Sequence, residues 1–318
     1  MKKIVLAADL GGTNLRMAAV DAGGNILYRT RRATPRTESA EEIVLAIVQS
    51  AGECLQAIQK REIVKAIAVA VPATVNVEKG IVQDSPNVPS LNGFQISNVL
   101  KSQLNLPCFL ENDANAAALG ESWLGAAKDY KNSITVTLGT GVGGGIIIEG
   151  KILRGVDGTA GEIGHICVEP FGVTCGCGGW GCLEQYSSAT AVVRLTRELG
   201  SQYPKSNLSV KTNLTSLDIY EAGQLGDELA LEVFRQQGFY LGVALAGLIN
   251  VLNPEVIAIG GGASAGWNLF MPHTLEQIRQ RAYREPARRA KIVTALCGDA
   301  AGILGAAKLA FINMANEI

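Results

Sequence analysis

Long apolar runs and an excess of one charge are both lacking in this sequence. Gly, Asn or a charged residue interrupts each apolar stretch before it reaches the roughly 20 residues that a membrane-spanning helix needs. The 28 basic and 29 acidic residues nearly cancel, and no run of Lys and Arg would neutralise several nucleic-acid phosphates. We therefore expect neither a membrane nor a nucleic acid as a partner.

An export signal and the common nucleotide-binding signatures are also lacking. The apolar run at residues 4–8 meets Asp9 and a glycine turn too early for a signal peptide, so it predicts a buried strand in a cytoplasmic protein. The sequence contains no P-loop and no protein-kinase signature. Apolar residues make up 47% and charged residues 18% of the 318 residues, a balance typical of a globular protein too long for one hydrophobic core. Two domains with a cleft for a small molecule are the expected arrangement.

Strand and helix patterns alternate along the chain, which predicts an α/β fold. Apolar strands are expected near residues 3–8, 15–20 and 26–32, followed by a helix over 38–60. Further strands and helices are expected at residues 66–71, 108–110, 114–124, 134–138, 144–148, 255–259, 292–296 and 302–314. The strand–glycine–strand pattern near the N-terminus recurs around residue 140, which indicates two halves of related design.

The first glycine turn combines an acid, two glycines and a hydroxyl. Asp9 ends a strand, and Gly11, Gly12 and Thr13 follow. Such a turn can bring backbone N–H groups and the Thr13 hydroxyl against a phosphate, while Asp9 orients water around Mg²⁺. A plain hairpin turn is the alternative, and this motif taken alone favours it.

The second glycine turn, residues 139–145, contains a G-x-G-x-x-G match. A dinucleotide site requires a helix after this motif, whereas the β-branched Ile146–Ile148 predicts a strand. A second phosphate-approaching hairpin is the better interpretation. The glycines at residues 260–262 have no side chains, so their backbone is expected to contact the adenine or ribose of a nucleotide.

One histidine and three cysteines crowd into a glycine-rich loop: His165, Cys175, Cys177 and Cys182. An imidazole and three thiolates form a tetrahedral zinc set, and four protein ligands leave no position for a catalytic water. The sequence therefore predicts one structural Zn²⁺, with free thiols or a disulfide as the alternatives. The remaining cysteines are expected to pack as small hydrophobic residues: Cys54, Cys108, Cys167 and Cys297.

Several acids and amides are candidates for substrate contacts. Glu111-Asn112-Asp113 lies between a strand and a helix, where a carboxylate can face a substrate hydroxyl or serve as a helix cap, and the segment favours neither. Glu162 and Glu184 bracket the cysteine loop and can accept hydrogen bonds from a polyol, or be solvated loop residues. For Asn87 and Asn92 a role in turns is slightly favoured over contact with a sugar.

Taken together these segments resemble the ROK family and, within it, the bacterial glucokinases. The matching pieces run in family order: residues 9–13, 111–116, 138–145, 158–165, 175–184 and 253–262. The resemblance implies the actin-like, hexokinase-type α/β fold, with two lobes around an interdomain cleft. It implies a smaller lobe of residues 1–112 plus a C-terminal helix at about 301–318, and a larger lobe of residues 113–300.

The resemblance also implies a role for each matching residue. Asp113 would be the general base on the 6-hydroxyl of a hexose. Glucose is the expected hexose, with N-acetylglucosamine, mannose or fructose as alternatives. The sugar would be held by Asn87, Asn112, Asp113, Glu162, His165 and Glu184. MgATP would be held by Asp9, Gly11, Gly12, Thr13, Thr140, Gly141, Gly261 and Gly262. Family members commonly form homodimers, which is the expectation here.

Two features bear on the choice within the family. Ala73 stands where many members have glycine, which adds a methyl group near the expected sugar approach. Family repressors carry a helix-turn-helix ahead of the first glycine turn, and only eight residues precede Asp9. We therefore expect a kinase. The first alternative is a sugar-sensing regulator that lacks catalysis, and the second, less favoured, is a nicotinamide dehydrogenase.

Overall fold

The computed structural model describes residues 3–58 and 63–316. The strands are β1 (Ile4–Leu10), β2 (Asn14–Asp21), β3 (Ile26–Ala33), β4 (Val64–Val71), β5 (Thr74–Asn76), β6 (Ile81–Asp84), β7 (Cys108–Asn112), β8 (Ser133–Leu138), β9 (Val142–Ile148), β10 (Lys151–Ile152), β11 (Val256–Gly260) and β12 (Lys291–Thr294). The helices are α1 (Ala40–Ile58), α2 (Ile96–Leu104), α3 (Asp113–Leu124), α4 (Glu184–Ser187), α5 (Ala189–Leu199), α6 (Ser216–Gln224), α7 (Glu228–Leu252), α8 (Trp267–Arg281), α9 (Arg284–Arg289) and α10 (Ala301–Asn316).

The chain forms two compact units. The first contains residues 1–131, 145–161 and 296–318, and the second contains residues 132–144 and 162–295. The first unit therefore includes α3, which the sequence-based boundary at residue 112 assigned to the other lobe. The reason is packing, since Gly305 of α10 lies so close to the Ala116 carbonyl of α3 that no Cβ fits between the two helices.

A five-stranded sheet in the order β3-β2-β1-β4-β7 forms the centre of the first unit. β1 pairs antiparallel with β2 and parallel with β4, which in turn runs parallel to β7. Alternate residues of β1 enter two different hydrophobic clusters, so helices cover both faces of the sheet. Leu6 packs in the cluster with α1 and α2, and Val5 packs in the cluster with α3 and α10. The C-terminal ends of β1, β4 and β7 lie at one edge, which positions Asp9 and Asp113.

The second sheet has the order β10-β9-β8-β11-β12. β11 pairs parallel with β8 and with β12, and β9 begins in the second unit and continues into the first. In the second unit α7 packs closely on α8, because Gly238 and Gly242 face the carbonyls of Phe270 and Thr274 with no space for a side chain. The α/β class predicted from the sequence is confirmed.

Most predicted elements occur within a few residues of their expected bounds. The run at residues 4–8 is a buried strand, and a strand rather than a helix follows the G-x-G-x-x-G match. The hairpin β5–β6 and helix α2 were not predicted. Among the described residues, none of the helices is both long enough and apolar enough to span a membrane.

Candidate active site

Asp9 lies at the end of β1, where the first turn of α10 packs against its carboxyl group. A Cβ on Gly302 would lie 2.8 Å from the Asp9 Cγ, so this glycine allows the close approach. Arg16 Nη1 lies 3.3 Å from Asp9 Oδ2. Burial raises the pKa of the Asp9 carboxyl, and the Arg16 guanidinium opposes that rise.

The turn after β1 is a tight hairpin that presents its glycine side outward. Gly11 N donates to Asn14 O over 2.8 Å, and the Thr34 hydroxyl donates to Gly11 O over 2.6 Å. Gly12 and Thr13 are exposed. A Cβ on Gly12 would lie 3.5 Å from the Asn87 Cβ, which places Asn87 beside this turn. The structure thus has the hairpin geometry and also leaves the turn open to a ligand.

The junction of β7 and α3 is fixed by Asn112. Its Oδ1 accepts hydrogen bonds from Ala114 N and Asn115 N over 2.9 and 3.0 Å, so Asn112 is the N-cap of α3. Its Nδ2 donates to Ala73 O over 3.1 Å. The carboxyl group of the half-buried Asp113 then accepts from Ala114 N over 2.8 Å at the positive end of the helix dipole.

Of two nearby residues, Ala73 differs from what the sequence suggested, while Asn92 has the turn role that the sequence slightly favoured. The Ala73 methyl group is buried in the hydrophobic core, so it is the Ala73 carbonyl that faces the junction. The Asn92 Oδ1 accepts from Ser85 N over 2.7 Å, which makes Asn92 a turn residue.

In the second unit Glu184 connects the cysteine loop with the β8–β9 turn. Val142 N donates to Glu184 Oε2 over 3.0 Å, and a Cβ on Gly141 would collide with that oxygen. Gly164 likewise packs against the Val142 carbonyl. Gly141 and Gly164 must therefore both be glycine. Their lack of side chains lets Glu184 and the segment at residues 162–165 both contact the start of β9.

Glu162 and His165 lie next to each other on that segment. His165 Nε2 is 3.9 Å from Glu162 Oε2, and their side chains are 35% and 48% exposed. Burial raises the pKa of the Glu162 carboxyl; His165 lowers it, and the Glu184 carboxylate adds to the rise. Two carboxylates and an imidazole thus face one partly exposed region of the second unit.

The predicted zinc ligands come together in the same region. The ligand atoms of His165, Cys175, Cys177 and Cys182 all lie within 4.8 Å of one another. Cys177 Sγ is 3.7 Å from Cys182 Sγ, and Cys175 Sγ is 3.7 Å from His165 Nδ1. Zn–S bonds of about 2.3 Å in a tetrahedron require S···S distances of roughly 3.8 Å, so this donor set fits a zinc ion.

The remaining cysteines differ in their surroundings. Cys54 is buried, while Cys108 and Cys297 are partly buried, and burial raises the pKa of each of these thiols to about 12. Cys167 is exposed, so the expectation that it packs as a core residue is wrong. It lies opposite the buried Cys182 in an isolated antiparallel bridge.

The other three predicted nucleotide contacts, Thr140, Gly261 and Gly262, lie just after the ends of β8 and β11. Thr140 O accepts from the Thr190 hydroxyl over 2.8 Å. Gly261 has φ of 87° and no space for a Cβ beside the Leu138 carbonyl, so only glycine fits at this position. Gly262 has no heavy atom within 4 Å of a Cβ position and faces open space.

A cavity of about 460 Å³ adjoins Thr140 within the second unit. Residues of α5 and the first residue of α6 line it, among them Thr190, Arg197 and Ser216. A smaller cavity of about 90 Å³, lined by Gly262 and Phe234, also includes Ser216 in its wall. The sequence reasoning missed the contribution of α5 and α6, because an amphipathic helix gives no signal for which residues border a cavity.

The predicted residues thus form separate groups within the two units. Asp9, Gly12 and Asn87 lie around the first hairpin, and Asn112 and Asp113 lie at the β7–α3 junction of the same unit. In the second unit the residues brought together are Glu162, His165, Glu184, Gly141 and the three zinc-loop cysteines.

Comparisons with known proteins agree with this geometry. A sequence model of the ROK family matches residues 5–312. A glucokinase from Halalkalibacterium halodurans is 35% identical over 306 residues, covering 94% of this chain and 92% of that protein. A ROK family glucokinase from Streptomyces griseus, solved in complex with glucose and AMPPNP, superposes with a TM-score of 0.79 at 33% identity, over 96% of this chain and 98% of that one.

Regulators share the same architecture. A ROK family transcriptional regulator, a homologue of the E. coli MLC protein, superposes with a TM-score of 0.87 at 30% identity, over 96% of this chain and 77% of that one. The fold is therefore the actin-like, hexokinase-type fold that the motifs implied. Since the family model spans nearly the whole chain and similarity to a family glucokinase extends along most of its length, this chain belongs to the ROK family.

Proposed function

We propose that this protein is an ATP-dependent hexose kinase that phosphorylates the 6-hydroxyl of glucose. The observation that carries the proposal is the position of Asp113, a carboxylate at the start of α3 directly after an asparagine cap. The 35% identity to a glucokinase and the likeness to a glucokinase solved with glucose and AMPPNP support it.

In this proposal Asp113 acts as the general base. A sugar hydroxyl is a poor nucleophile at neutral pH, and a carboxylate within hydrogen-bond reach takes its proton as the new bond forms. The sugar O6 bonds to the γ-phosphorus of ATP, the bond from that phosphorus to the β–γ bridging oxygen breaks, and ADP leaves. A loose transition state needs little covalent work from the protein, so positioning and electrostatics dominate.

The side chains that would hold the sugar hydroxyls are Asn87, Asn112, Glu162, His165 and Glu184. Asn112 uses one Nδ2 hydrogen on Ala73 O and retains another for a ligand. Glu162 and His165 are each at least a third exposed, so a polyol can reach them.

The phosphates of ATP would lie against the two glycine hairpins, at Asp9, Gly11, Gly12, Thr13, Thr140 and Gly141. Bound Mg²⁺ would bridge phosphate oxygens and neutralise charge, with Asp9 orienting its water ligands. The nucleoside would lie near Gly261 and Gly262. The open face of Gly262 and the cavity beside Thr140 support this placement.

A structural Zn²⁺ would bind His165 through Nδ1, which faces the Cys175 thiol. Coordination there leaves Nε2 to carry the proton and donate a hydrogen bond on the side of Glu162. The metal would therefore fix the ring in one tautomer and hold the loop between Glu162 and Glu184. No ligand position remains for chemistry on the metal.

A sugar-responsive regulator without catalysis is the second candidate, and the TM-score of 0.87 to a ROK regulator favours it. A coupled ADP-release assay with glucose, mannose, fructose and N-acetylglucosamine separates the two. We expect turnover with the highest kcat/KM for glucose. A different best sugar would replace glucose in the proposal, and binding of glucose without any turnover would favour the regulator.

A further inference from the structure

Glu111 is a fully buried carboxylate one residue before the N-cap of α3. It has 0% exposure at the end of β7, and Arg154 is its cationic partner. Arg154 Nε and Nη2 donate to Glu111 Oε2 over 2.9 and 2.7 Å. The Arg154 side chain is 33% exposed, so the guanidinium reaches from the surface to a carboxylate that water does not touch.

The second oxygen of Glu111 binds the α3 junction itself. Glu111 Oε1 accepts from Asn112 N over 3.1 Å and from Asn115 Nδ2 over 3.2 Å. These four hydrogen bonds therefore join the Glu111 carboxylate to Arg154 on one side and to Asn112 and Asn115, at the start of α3, on the other. Asn112 is held through its backbone N–H by Glu111, while its side chain caps α3 and contacts Ala73 O.

Arg154 also belongs to the segment that leads to Glu162. Ala160 N donates to Arg154 O over 3.1 Å, which folds residues 154–160 into a closed loop. Gly158 of this loop packs on the Val75 carbonyl of β5 with no space for a Cβ. The loop is thus attached to the first unit at the Gly158–Val75 contact and at the Arg154–Glu111 pair.

We propose that Arg154 and Glu111 are positioning residues for Asp113, an inference that rests on the proposed kinase function. In this proposal both side chains act through the β7–α3 junction that carries Asp113. A buried ion pair stabilises a fold little compared with apolar residues of the same volume, so stability alone explains this pair poorly. Its planar two-donor geometry fixes orientation, which lysine cannot reproduce. A base displaced by about 1 Å can lose on the order of a hundredfold in rate.

The test compares Arg154→Lys, Arg154→Gln and Glu111→Gln with the wild type. We expect kcat to fall about 10- to 100-fold, most in Arg154→Gln and least in Arg154→Lys, while KM for the sugar changes less than about threefold. The double variant Arg154→Gln/Glu111→Gln should lose no more than the worse single variant, because the pair acts as a unit. Arg32→Gln, which removes a surface pair with Glu53 in the same unit, is the matched control and should keep the wild-type kcat.

Two results from the activity measurements would overturn the proposal. One is wild-type kcat in folded Arg154→Gln, and the other is a loss of activity that follows the melting temperature alone. A crystal structure of Arg154→Gln decides the positional claim even if the wild type phosphorylates no hexose and the kinase proposal fails. We expect the Asp113 carboxylate to be displaced by roughly 1 Å, and an unmoved carboxylate would refute the inference.

Discussion

At the scale of residues, the chemistry of each candidate depends on what its polar atoms already contact. Asn112, predicted as a sugar contact, is first of all a helix cap, and Glu184 accepts a hydrogen bond from Val142 N. Asp113 is the proposed general base because its backbone is held in place between strand β7 and helix α3. Glu162 and Glu184 border a loop and suit binding.

Replacing Asp113 with Asn keeps the shape of the side chain and removes the basic oxygen. We expect kcat to fall about 10²–10⁴-fold with a much smaller change in sugar affinity. Glu184→Gln should do the reverse and raise KM more than it lowers kcat. Steady-state kinetics with glucose measures both variants. Near-full turnover in Asp113→Asn would show that Asp113 is not the general base and only forms part of the start of α3.

The thiols should differ in reactivity. Burial raises the pKa values of Cys54, Cys108 and Cys297 to about 12, so almost none of each is thiolate at pH 8. Cys167 is exposed. With iodoacetamide at pH 8, peptide mapping by mass spectrometry should show Cys167 labelled well before these three, and equal labelling of Cys297 in the native protein would contradict the burial described here.

At the scale of elements, glycine decides where segments can meet. β9 approaches the segment at residues 162–165 because Gly144 and Gly164 have no side chains, and α3 approaches α10 because of Gly120 and Gly305. In the cysteine loop, by contrast, four side chains come together: His165, Cys175, Cys177 and Cys182. Cys175 N donates to Gly179 O, which closes the turn that carries Cys177.

Removing one thiolate should release the zinc and loosen its loop. In Cys177→Ser we expect less than one zinc per chain, a lower melting temperature and weaker glucose binding, because the loop ends at Glu184. Elemental analysis, thermal unfolding and titration calorimetry measure the three effects. Cys167→Ser is the matched control, since Cys167 lies in the same region outside the ligand set, and it should keep its zinc. A zinc-free wild type would refute the metal assignment.

Two helical glycines should respond to alanine in opposite directions. Gly305 in α10 faces the Ala116 carbonyl, so Gly305→Ala should destabilise the protein by about 1–3 kcal/mol through overpacking. Gly247 in α7 is exposed with nothing within 4 Å, so Gly247→Ala should stabilise it by roughly 0.5–1 kcal/mol. Urea unfolding measures both, and a stabilised Gly305→Ala would disprove the close α3–α10 contact.

At the scale of the whole molecule, each of the two units contains β-strands and its own helices. That they act as the two lobes of a kinase, and that the chain forms a homodimer, stay predictions. Ligand binding gives a measurable link between the proposed sites and the stability of the fold.

Glucose should raise the melting temperature, because a ligand that binds only the native state stabilises it by about 2.7 kcal/mol at a hundredfold excess over its Kd. Differential scanning fluorimetry with D-glucose, and with L-glucose as the control, measures the shift. Asp113→Asn should keep most of the shift, since the base is proposed to act on rate. Equal shifts from both enantiomers would argue against a stereospecific sugar site.

The sequence by itself determined the features that depend on local pattern. Apolar periodicity predicted most strands of the two large sheets and the helices α1, α3 and α10. The β-branched residues after Gly145 predicted a strand in place of a dinucleotide-binding helix, and ligand spacing predicted the four-residue metal cluster. These succeed because each depends on residues close in the chain, where propensity and spacing limit the possible structures.

Only the tertiary structure decided the contacts between distant segments. The Arg154–Glu111 pair joins residues 43 apart, and Glu184 contacts Val142 across 42 residues. The local sequence pattern around these residues does not indicate which residue is the partner. The exposure of Cys167, the burial of the Ala73 methyl group and the grouping of α3 with α10 were likewise decided by packing. Such contacts depend on which faces of folded elements meet, a property of the assembled layers that a local pattern does not contain.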